Sequence, residues 1–593
     1  MKPSRHLWGS LLVGALAALI ALLFNNDYYL RIIFMMCVYY LCAVGMNVLV
    51  GFAGQKSLGQ AGLFAAGAYT VALLTTRWDL NPYLALAAAP IVAGACGVLI
   101  ALPSLRVKGP YLAMVTLAFG TVIEKIISEW TEVLGGTQGI YGIKPLTLSG
   151  APFTNQQWVW FCIALCLVVH LLLRNLVLGR YGRALQSLQA DEIASASVGV
   201  RVYRAKVIAF VIAAVTCGLA GALVAQQNQY INSDFITLNL SVFILLLVLF
   251  GGAGSLIGPF VGAVLLTLID AALSQWPAAQ HFVYGALLLF ALYAMPNGVA
   301  GLAARWLKSK GSTEAPREAL GSDAIAELSH AGHPAANEVP LLEAAKISKA
   351  FGGVRTAQEV SFKLRHGHIH ALIGPNGAGK STMINMITGV LGPDSGRITL
   401  DGVNITSSEI HAIASSGVGR TFQNLRLFAD LSVLENVLLG RHSQMTNGLW
   451  TSLLALPSAK RQEAAARNYA YVVLDLMGLT ALAHEPAGSL AYGLQRRVEL
   501  ARAMATHPKL LLLDEPAAGL NPQETAELGK LISSLSKLGI TILMVEHHMD
   551  LVMSISDHVI VLDYGVLIAE GTPAQIQCSP RVIEAYLGAE VMT

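Results

Sequence analysis

Between residues 374 and 382 the chain reads Gly374-Pro375-Asn376-Gly377-Ala378-Gly379-Lys380-Ser381-Thr382. The spacing G-x-x-x-x-G-K-[ST] is that of a phosphate-binding loop: backbone N–H groups cradle phosphates, a lysine reaches the β- and γ-phosphates, and a hydroxyl holds Mg²⁺. Gly374, Asn376, Gly377, Gly379, Lys380, Ser381 and Thr382 are the candidate nucleotide contacts, and Ser381 is also a candidate metal ligand. The flanks agree, because His370-Ala371-Leu372-Ile373 predicts a buried strand and Ser381 onward a helix, whose N-terminus attracts anions. A second stretch, Lys509-Leu510-Leu511-Leu512-Leu513-Asp514-Glu515, predicts a strand ending in two acids. Next to the loop strand it would place Asp514 by the metal ion and Glu515 by an attacking water. Together these are the parts of an ATPase or GTPase.

The rest of the chain must position these groups and give the hydrolysis a task. Hydrophobic residues make up 54% of the 593 residues and charged ones 13%, about half the usual charged share. Nearly all of the apolar excess precedes about residue 303, so a membrane half precedes a soluble half. A net charge of +3 and the lack of a basic stripe interleaved with aromatics argue against nucleic acid. The seven cysteines include no C-x-x-C pair, which disfavours a disulfide framework or zinc site, and Cys162 and Cys166, one helical turn apart, read as packing. Leu7 to Phe24 is long enough to span and shows no clear cleavage site.

Apolar stretches at 7 to 24, 31 to 50, 58 to 76, 83 to 102, 110 to 128, 157 to 178, 205 to 226, 238 to 251, 256 to 271 and 281 to 300 predict about ten spans. Lys2, Arg5, Lys56, Arg106, Lys108, Arg180, Arg183, Arg201, Arg204, Lys206, Arg305, Lys308 and Lys310 then collect on one side, which predicts a cytoplasmic face for both ends of this half. The basic loop from Gly179 to Lys206 predicts a short amphipathic helix closed by Gly199. It can dock on a soluble partner or lie on headgroups. Two glycine-rich stretches, Gly51 to Gly62 and Gly251 to Pro259, interrupt the apolar segments. Broken segments in corresponding halves point to a substrate path, and close helix contact through small residues accounts for them as well. Glu124 and Lys125 are either pathway groups or a pair reaching the headgroups.

From about Lys308 to Pro340 the composition turns to Ser, Glu, Ala, Gly, Pro and His, a tether that fixes little geometry. The expected organisation is a transmembrane domain at 1–304, a linker at 305–340 and a nucleotide-binding domain at 341–593. His366, His368 and His370 fall on one face of an extended segment; an exposed strand face is the ordinary reading and a metal site the sharper one.

Between the two nucleotide motifs lies Ser489-Leu490-Ala491-Tyr492-Gly493-Leu494-Gln495-Arg496-Arg497-Val498-Glu499-Leu500-Ala501-Arg502-Ala503. Here the soluble half resembles the ATP-binding-cassette family, whose signature loop has this placement. The expected fold is an all-α polytopic membrane domain followed by an α/β P-loop ATP-binding-cassette domain. The resemblance implies ATP and Mg²⁺ as cofactors. It makes Gln423, in Arg420-Thr421-Phe422-Gln423-Asn424, the glutamine loop that senses the γ-phosphate, ligates the metal and contacts the permease, and His547 the switch histidine. It makes Gly519-Leu520-Asn521 the loop joining two cassettes, Phe351 an aromatic on adenine, and Ala491 and Gly493 signature contacts to the ATP of an opposite cassette. Glu515, His547 and Gln423 are then the catalytic group, and Ser381, Gln423 and Asp514 the metal set. The family's usual L-S-G-G-Q becomes Leu490-Ala491-Tyr492-Gly493-Leu494, so the serine donor is missing and the helix start, expected at Leu494, must supply dipole and N–H groups instead.

The finer resemblance is to the ABC uptake family for branched-chain amino acids and related hydrophobic amides. Ala491-Tyr492-Gly493, Asp514-Glu515-Pro516-Ala517-Ala518-Gly519-Leu520-Asn521-Pro522 and Ala585-Tyr586-Leu587-Gly588 look like one of its ATPases, and Met46 to Gly54 with Gly252 to Pro259 like one of its permeases. In this family the two are usually separate chains, so the resemblance implies a fusion of permease and ATP-binding subunits. Glu192-Ile193-Ala194-Ser195-Ala196-Ser197-Val198-Gly199 looks like a loose E-A-A-x-x-x-G docking loop. The implied function is ATP-driven import across the inner (plasma) membrane, with the ATPase cytoplasmic. The implied partners are a second permease, a second ATPase, a periplasmic or extracellular substrate-binding protein and membrane lipid. A same-family importer of urea, short amides or aromatic acids, an exporter half-transporter and a membrane-anchored regulatory ATPase are the competing readings.

Overall fold

The computed structural model describes residues 26–105, 109–295, 298–307 and 340–587. The expected first span, 7 to 24, and the tether from 308 to 339 lie outside them. Two units emerge: a helical one, and a cassette unit that contains most of the chain after the tether together with Ala190–Val202. Leu449–Ala455 groups with the helical unit.

In the helical unit, polar caps set where the apolar runs begin. Asn26 accepts from the Tyr28 N–H, Asn81 from that of Tyr83 ahead of Pro82, and Thr154 forms a reciprocal cap with Gln157, each satisfying N–H groups that a helix start leaves unpaired. Among the described residues six helices are long and apolar enough to cross a membrane: Asp27–Phe52, Pro82–Ser104, Pro110–Glu129, Asn155–Val177, Val202–Asn228 and Ser233–Gly251. The expected count of about ten is therefore not met by length. Gln60–Thr76 has 17 residues, about 26 Å at 1.5 Å per residue, and Gly258–Leu273 has 16. The glycine-rich breaks run into the starts of these two helices.

Those two breaks meet. The helix Asp27–Met46 continues as a π-helical turn, Asn47–Phe52, a widened turn that occurs where function or strain requires it. Asn47 is 2% exposed; its amide donates to the Ser255 carbonyl at 2.8 Å, and its Oδ1 accepts from the Gly254 N–H at 2.9 Å. A Cβ on Gly51 would lie 2.2 Å from the Gly254 nitrogen, and one on Gly298 2.4 Å from Gly252. The backbones touch, so only glycine fits.

The basic loop folds as two helices, Arg180–Ala190 and Glu192–Ser197, in place of the single one expected. Asp191 causes the break by accepting from the Ala194 N–H as N-cap of the second helix.

The cassette unit contains two sheets. β1 (Leu342–Phe351), β2 (Val354–Leu364), β4 (Ser395–Leu400) and β5 (Val403–Asn404) pair antiparallel in the order β2-β1-β4-β5. β3 (Ile369–Ile373), β6 (Val418–Arg420), β7 (Leu510–Asp514), β8 (Thr541–Val545), β9 (His558–Asp563) and β10 (Val566–Gly571) form the central sheet in the order β6-β7-β8-β3-β9-β10. It is parallel except for the β9–β10 pair. β6, β7, β8 and β3 are buried on both faces, as parallel strands demand. Leu511, Leu513, Ile542 and Met544 enter one apolar cluster, and Leu510, Leu512, Leu543 and Val545 the other.

Two expectations change here. The acidic strand β7 is not next to the loop strand β3, because β8 lies between them with Leu543 in register with both Leu512 and His370. Nor do the three histidines share an exposed face. His370 is 1% exposed because β3 is central, and its Nε2 accepts from the Arg365 N–H at 2.9 Å; among the described residues no cluster of metal-binding side chains occurs.

Burial, then the neighbouring His558 and His368, pulls the His370 pKa from 6.5 to about 3. The unfolded chain therefore binds the extra proton, so the stabilising contribution is fully present above about pH 6.5 and is lost as the pH falls toward 3, by up to about 1.4 kcal/mol per pH unit. Thermal unfolding of the chain at pH 7 and pH 5 will show this slope for the wild type and a flatter one for His370→Gln, whose amide oxygen still accepts from Arg365. In the helical unit, Asn47→Ala strands the Gly254 N–H and lowers stability by about 1–3 kcal/mol, read as an earlier unfolding midpoint in detergent.

Candidate functional site

Backbone contacts close on both ends of the loop from Gly374 to Gly379. A Cβ on Gly374 (φ 151°) would lie 2.0 Å from the Leu562 carbonyl, and one on Gly379 (φ 96°) 2.1 Å from that of Thr356. Gly379 hands over to the helix Lys380–Ile387, whose first turn carries Ser381 and Thr382. Asn376 and Gly377 are exposed at the loop tip. Lys380 Nζ turns back to donate to the carbonyls of Gly374 at 2.7 Å and Pro375 at 2.9 Å. Burial lowers its pKa, against the upward pull of Glu515 and Asp514.

Asp514 reaches this place although its strand is one removed. Arg420, at the end of β6, donates to Asp514 Oδ2 at 3.4 Å, to Thr388 Oγ1 at 2.7 Å and to Asn385 Oδ1 at 2.8 Å. It thereby ties the acidic strand to the helix behind the loop. Burial raises the Asp514 pKa and Arg420 opposes it. Asp514 Oδ1 is buried with no hydrogen-bond partner, an arrangement that costs free energy unless a cation or its water completes it.

Glu515 follows with φ 49°, in the left-handed region that a non-glycine residue seldom adopts. Its N–H donates to the Val545 carbonyl at 2.9 Å. Its carboxylate Oε1 accepts from Gln423 Nε2 at 2.9 Å and lies 3.2 Å from His547 Nε2, a contact that needs the proton on that nitrogen. Glu515, Gln423 and His547, three separate motifs in sequence, are one hydrogen-bonded group.

Ala491 and Gly493 are placed elsewhere. The helix Tyr492–Ala505 starts two residues before the expected Leu494, with Ala491 as an N-cap that offers no side-chain bond. Gln495 Nε2 donates to the Leu490 carbonyl at 2.8 Å and that of Gly488 at 3.3 Å, which ties the helix to the loop before it. Gly493 faces Glu524, whose Oε1 would lie 2.8 Å from an added Cβ. The described contacts of this turn run to Glu524 and to Gly519, which borders Tyr492, and not to residues 374–382. Phe351 is 49% exposed at the end of β1, with Lys349 Nζ 5.7 Å from its ring centre, so it is no core residue.

Several supporting contacts made by residues within these motifs could not be read from the sequence. Glu546 is 1% exposed and accepts from the Ala517 N–H at 2.7 Å and the His547 N–H at 3.0 Å, fixing the loop after Glu515 against the switch histidine. Glu499, 0% exposed, accepts from the Phe422 and Arg426 N–H groups at 3.3 and 3.4 Å. Arg496 donates to the carbonyls of Phe422 and Gln423 at 2.7 and 2.6 Å. The helix after the signature thus holds the glutamine loop by its backbone. What is legible is the shared face: charged residues at the i, i+3 and i+6 positions of one helix belong together on it.

Strand, phosphate loop, paired acids, glutamine loop and switch histidine on this sheet define an ATP-binding cassette. Residues 357–518 match the family described as "ABC transporter", 566–591 that of the branched-chain amino acid ATP-binding cassette transporter, and 28–292 that of the branched-chain amino acid transport system permease component. The chain is 46% identical over 250 residues to the high-affinity branched-chain amino acid transport ATP-binding protein BraF of Pseudomonas aeruginosa, covering 42% of this chain and 98% of that protein. The same figures hold for LivG of Escherichia coli strain K12. A crystal structure of a nucleotide-free ATP-binding cassette from an ABC transporter is 33% identical, with 42% of this chain and 100% of that one covered at a TM-score of 0.38. The chain belongs to the branched-chain amino acid ABC transporter family, as a fusion of its permease and ATP-binding parts. It is a multi-pass protein whose cassette binds ATP and whose hydrolysis is coupled to transport.

If Glu515 is the group that handles water, Glu515→Gln will lower ATP hydrolysis by on the order of 10²–10⁴-fold while nucleotide binding, measured with a fluorescent ATP analogue, stays unchanged.

Proposed function

We propose that the chain supplies one permease and one ATPase to an importer of branched-chain or related hydrophobic amino acids across the inner (plasma) membrane, with the cassette in the cytoplasm. The observation that carries this reading is that both halves match the same transport family on a single chain. The domain limits in this reading are 1–304, 305–340 and 341–593.

Gly374, Asn376, Gly377, Gly379, Lys380, Ser381 and Thr382 take the phosphates, and Phe351, exposed as stacking requires, takes the adenine. Ser381, Gln423 and Asp514 hold Mg²⁺; the unpartnered Asp514 oxygen supports this assignment. Bound there, the ion would neutralise charge on the β- and γ-phosphates. Glu515 orients or deprotonates water, and Gln423 and His547 set its carboxylate and sense the γ-phosphate. Ala491 and Gly493 serve the ATP of an opposing cassette through the helix N-terminus.

A second permease, a second ATPase, a periplasmic or extracellular substrate-binding protein and membrane lipid are the partners this reading requires, since the family matches comprise one permease component and one ATP-binding part. Closure of two cassettes on ATP then shifts the equilibrium of membrane access.

The test is reconstitution in lipid vesicles with the binding protein encoded beside the chain. ATP-driven uptake of labelled leucine that needs a second permease and ATPase is the expected outcome. Full coupled uptake by this chain alone would refute the heteromeric assembly, and uptake of urea or short amides with no leucine would refute the substrate class.

A further inference from the structure

The loop Ala190–Val202, flanked in sequence by membrane helices, belongs to the cassette unit. One ion pair within that unit has features that a surface pair lacks. Arg426 Nη1 donates to Asp191 Oδ2 at 2.6 Å. Both ends are fixed before they meet. Asp191 uses its other oxygen to cap the helix Glu192–Ser197 through the Ala194 N–H at 2.8 Å, so its carboxylate cannot wander. The Arg426 backbone is clamped on both sides: its N–H donates to the buried Glu499, and its carbonyl accepts from Arg502 Nη1 at 2.7 Å. Its guanidinium lies 5.0 Å from the centre of the Phe422 ring. A pair whose partners are already ordered avoids the side-chain entropy that cancels most exposed pairs. At the far end of the helix, Gly199 (φ 87°) sits so close that an added Cβ would be 2.7 Å from Ser443. The loop is therefore seated at two points, one charged and one steric.

We propose that Asp191 and Arg426 are the positioning and specificity pair that assigns this docking loop to this cassette. The inference rests on the importer reading. In an assembly of two unlike permeases and two unlike cassettes, each cassette can meet either of two docking loops, so the contact itself must carry the choice. A fixed charge that rejects a mismatched loop is how unlike interfaces are told apart. The same pair sits on Glu499 and Arg502 of the helix that follows the signature, so a loop pulled from its seat drags the backbone of residues 422–426, and with it Gln423.

Four variants of the full chain, isolated with its partner subunits, test this. Arg426→Asp leaves the helix cap intact and opposes two acids. Asp191→Asn keeps the cap and removes the charge. Asp191→Arg loses the cap and opposes two cations, and Asp191→Arg with Arg426→Asp loses the same cap but restores attraction with the signs reversed. Hydrogen exchange of the 191–199 amides in detergent is expected to rise about tenfold in Arg426→Asp, less in Asp191→Asn, and to be lower in the reversed pair than in Asp191→Arg alone. Leucine uptake per ATP hydrolysed is expected to fall in the single variants and to be higher in the reversed pair than in Asp191→Arg alone. Wild-type exchange in both Arg426→Asp and Asp191→Asn would mean that Asp191 is a helix cap and nothing more, and exchange in the reversed pair no lower than in Asp191→Arg alone would equally overturn the proposal. If exchange follows the expected order while the wild-type complex takes up no leucine, the importer reading fails and the pair stands.

Discussion

A carboxylate with no exposure to water, that of Glu499, is the constraint on which the cassette depends. A buried charge is tolerated only when paired and hydrogen-bonded. Glu499 meets the condition with Arg496 at 3.1 Å, Arg502 at 3.6 Å and the N–H groups of Phe422 and Arg426. Arg496 Nη1 and Nη2 and Arg502 Nη1 also donate to carbonyls of the same loop. The result is a rigid union of the helix behind the signature and the segment that carries Gln423. Since Gln423 bonds Glu515, the Glu515 carboxylate is positioned from a helix that lies outside the phosphate cradle. Replacing one member would leave an uncompensated charge, which is why such clusters resist gradual change.

The cradle itself is built on a different principle. Its fit comes from absent atoms, with carbonyl oxygens of Leu562 and Thr356 standing where side chains would be. The left-handed turn at Glu515 then aims a carboxylate toward Gln423 and His547, and the buried Glu546 keeps the following loop in place. Backbone strain at one residue is thus offset by hydrogen bonds from the next motif.

Much of this was legible in the sequence. The phosphate loop, the acids and the switch histidine are local patterns with local mechanisms, and they converge as expected. Sheet order was not legible: nothing in Lys509 to Glu515 says that β8 intervenes, because strand neighbours are set by crossovers and not by strand composition. His370 read as exposed, since an alternating pattern cannot tell an edge strand from a central one. Asp191 read as part of one helix, because a capping acid looks like any polar residue until its N–H partner is known. The glycine-rich breaks were visible as breaks, but that Asn47 joins them across some two hundred residues of sequence was not.

That junction sets the terms on which the membrane half can evolve. At Gly51, Gly251, Gly254 and Gly298 an added Cβ would meet backbone, so a side chain gained on one face cannot be accommodated by trimming the backbone on the other. Compensatory pairs, the usual route by which packed positions drift together, are closed there. Descendants of this permease can acquire new specificities in the residues that surround the knot, while the knot passes between them unaltered or the permease is lost with it.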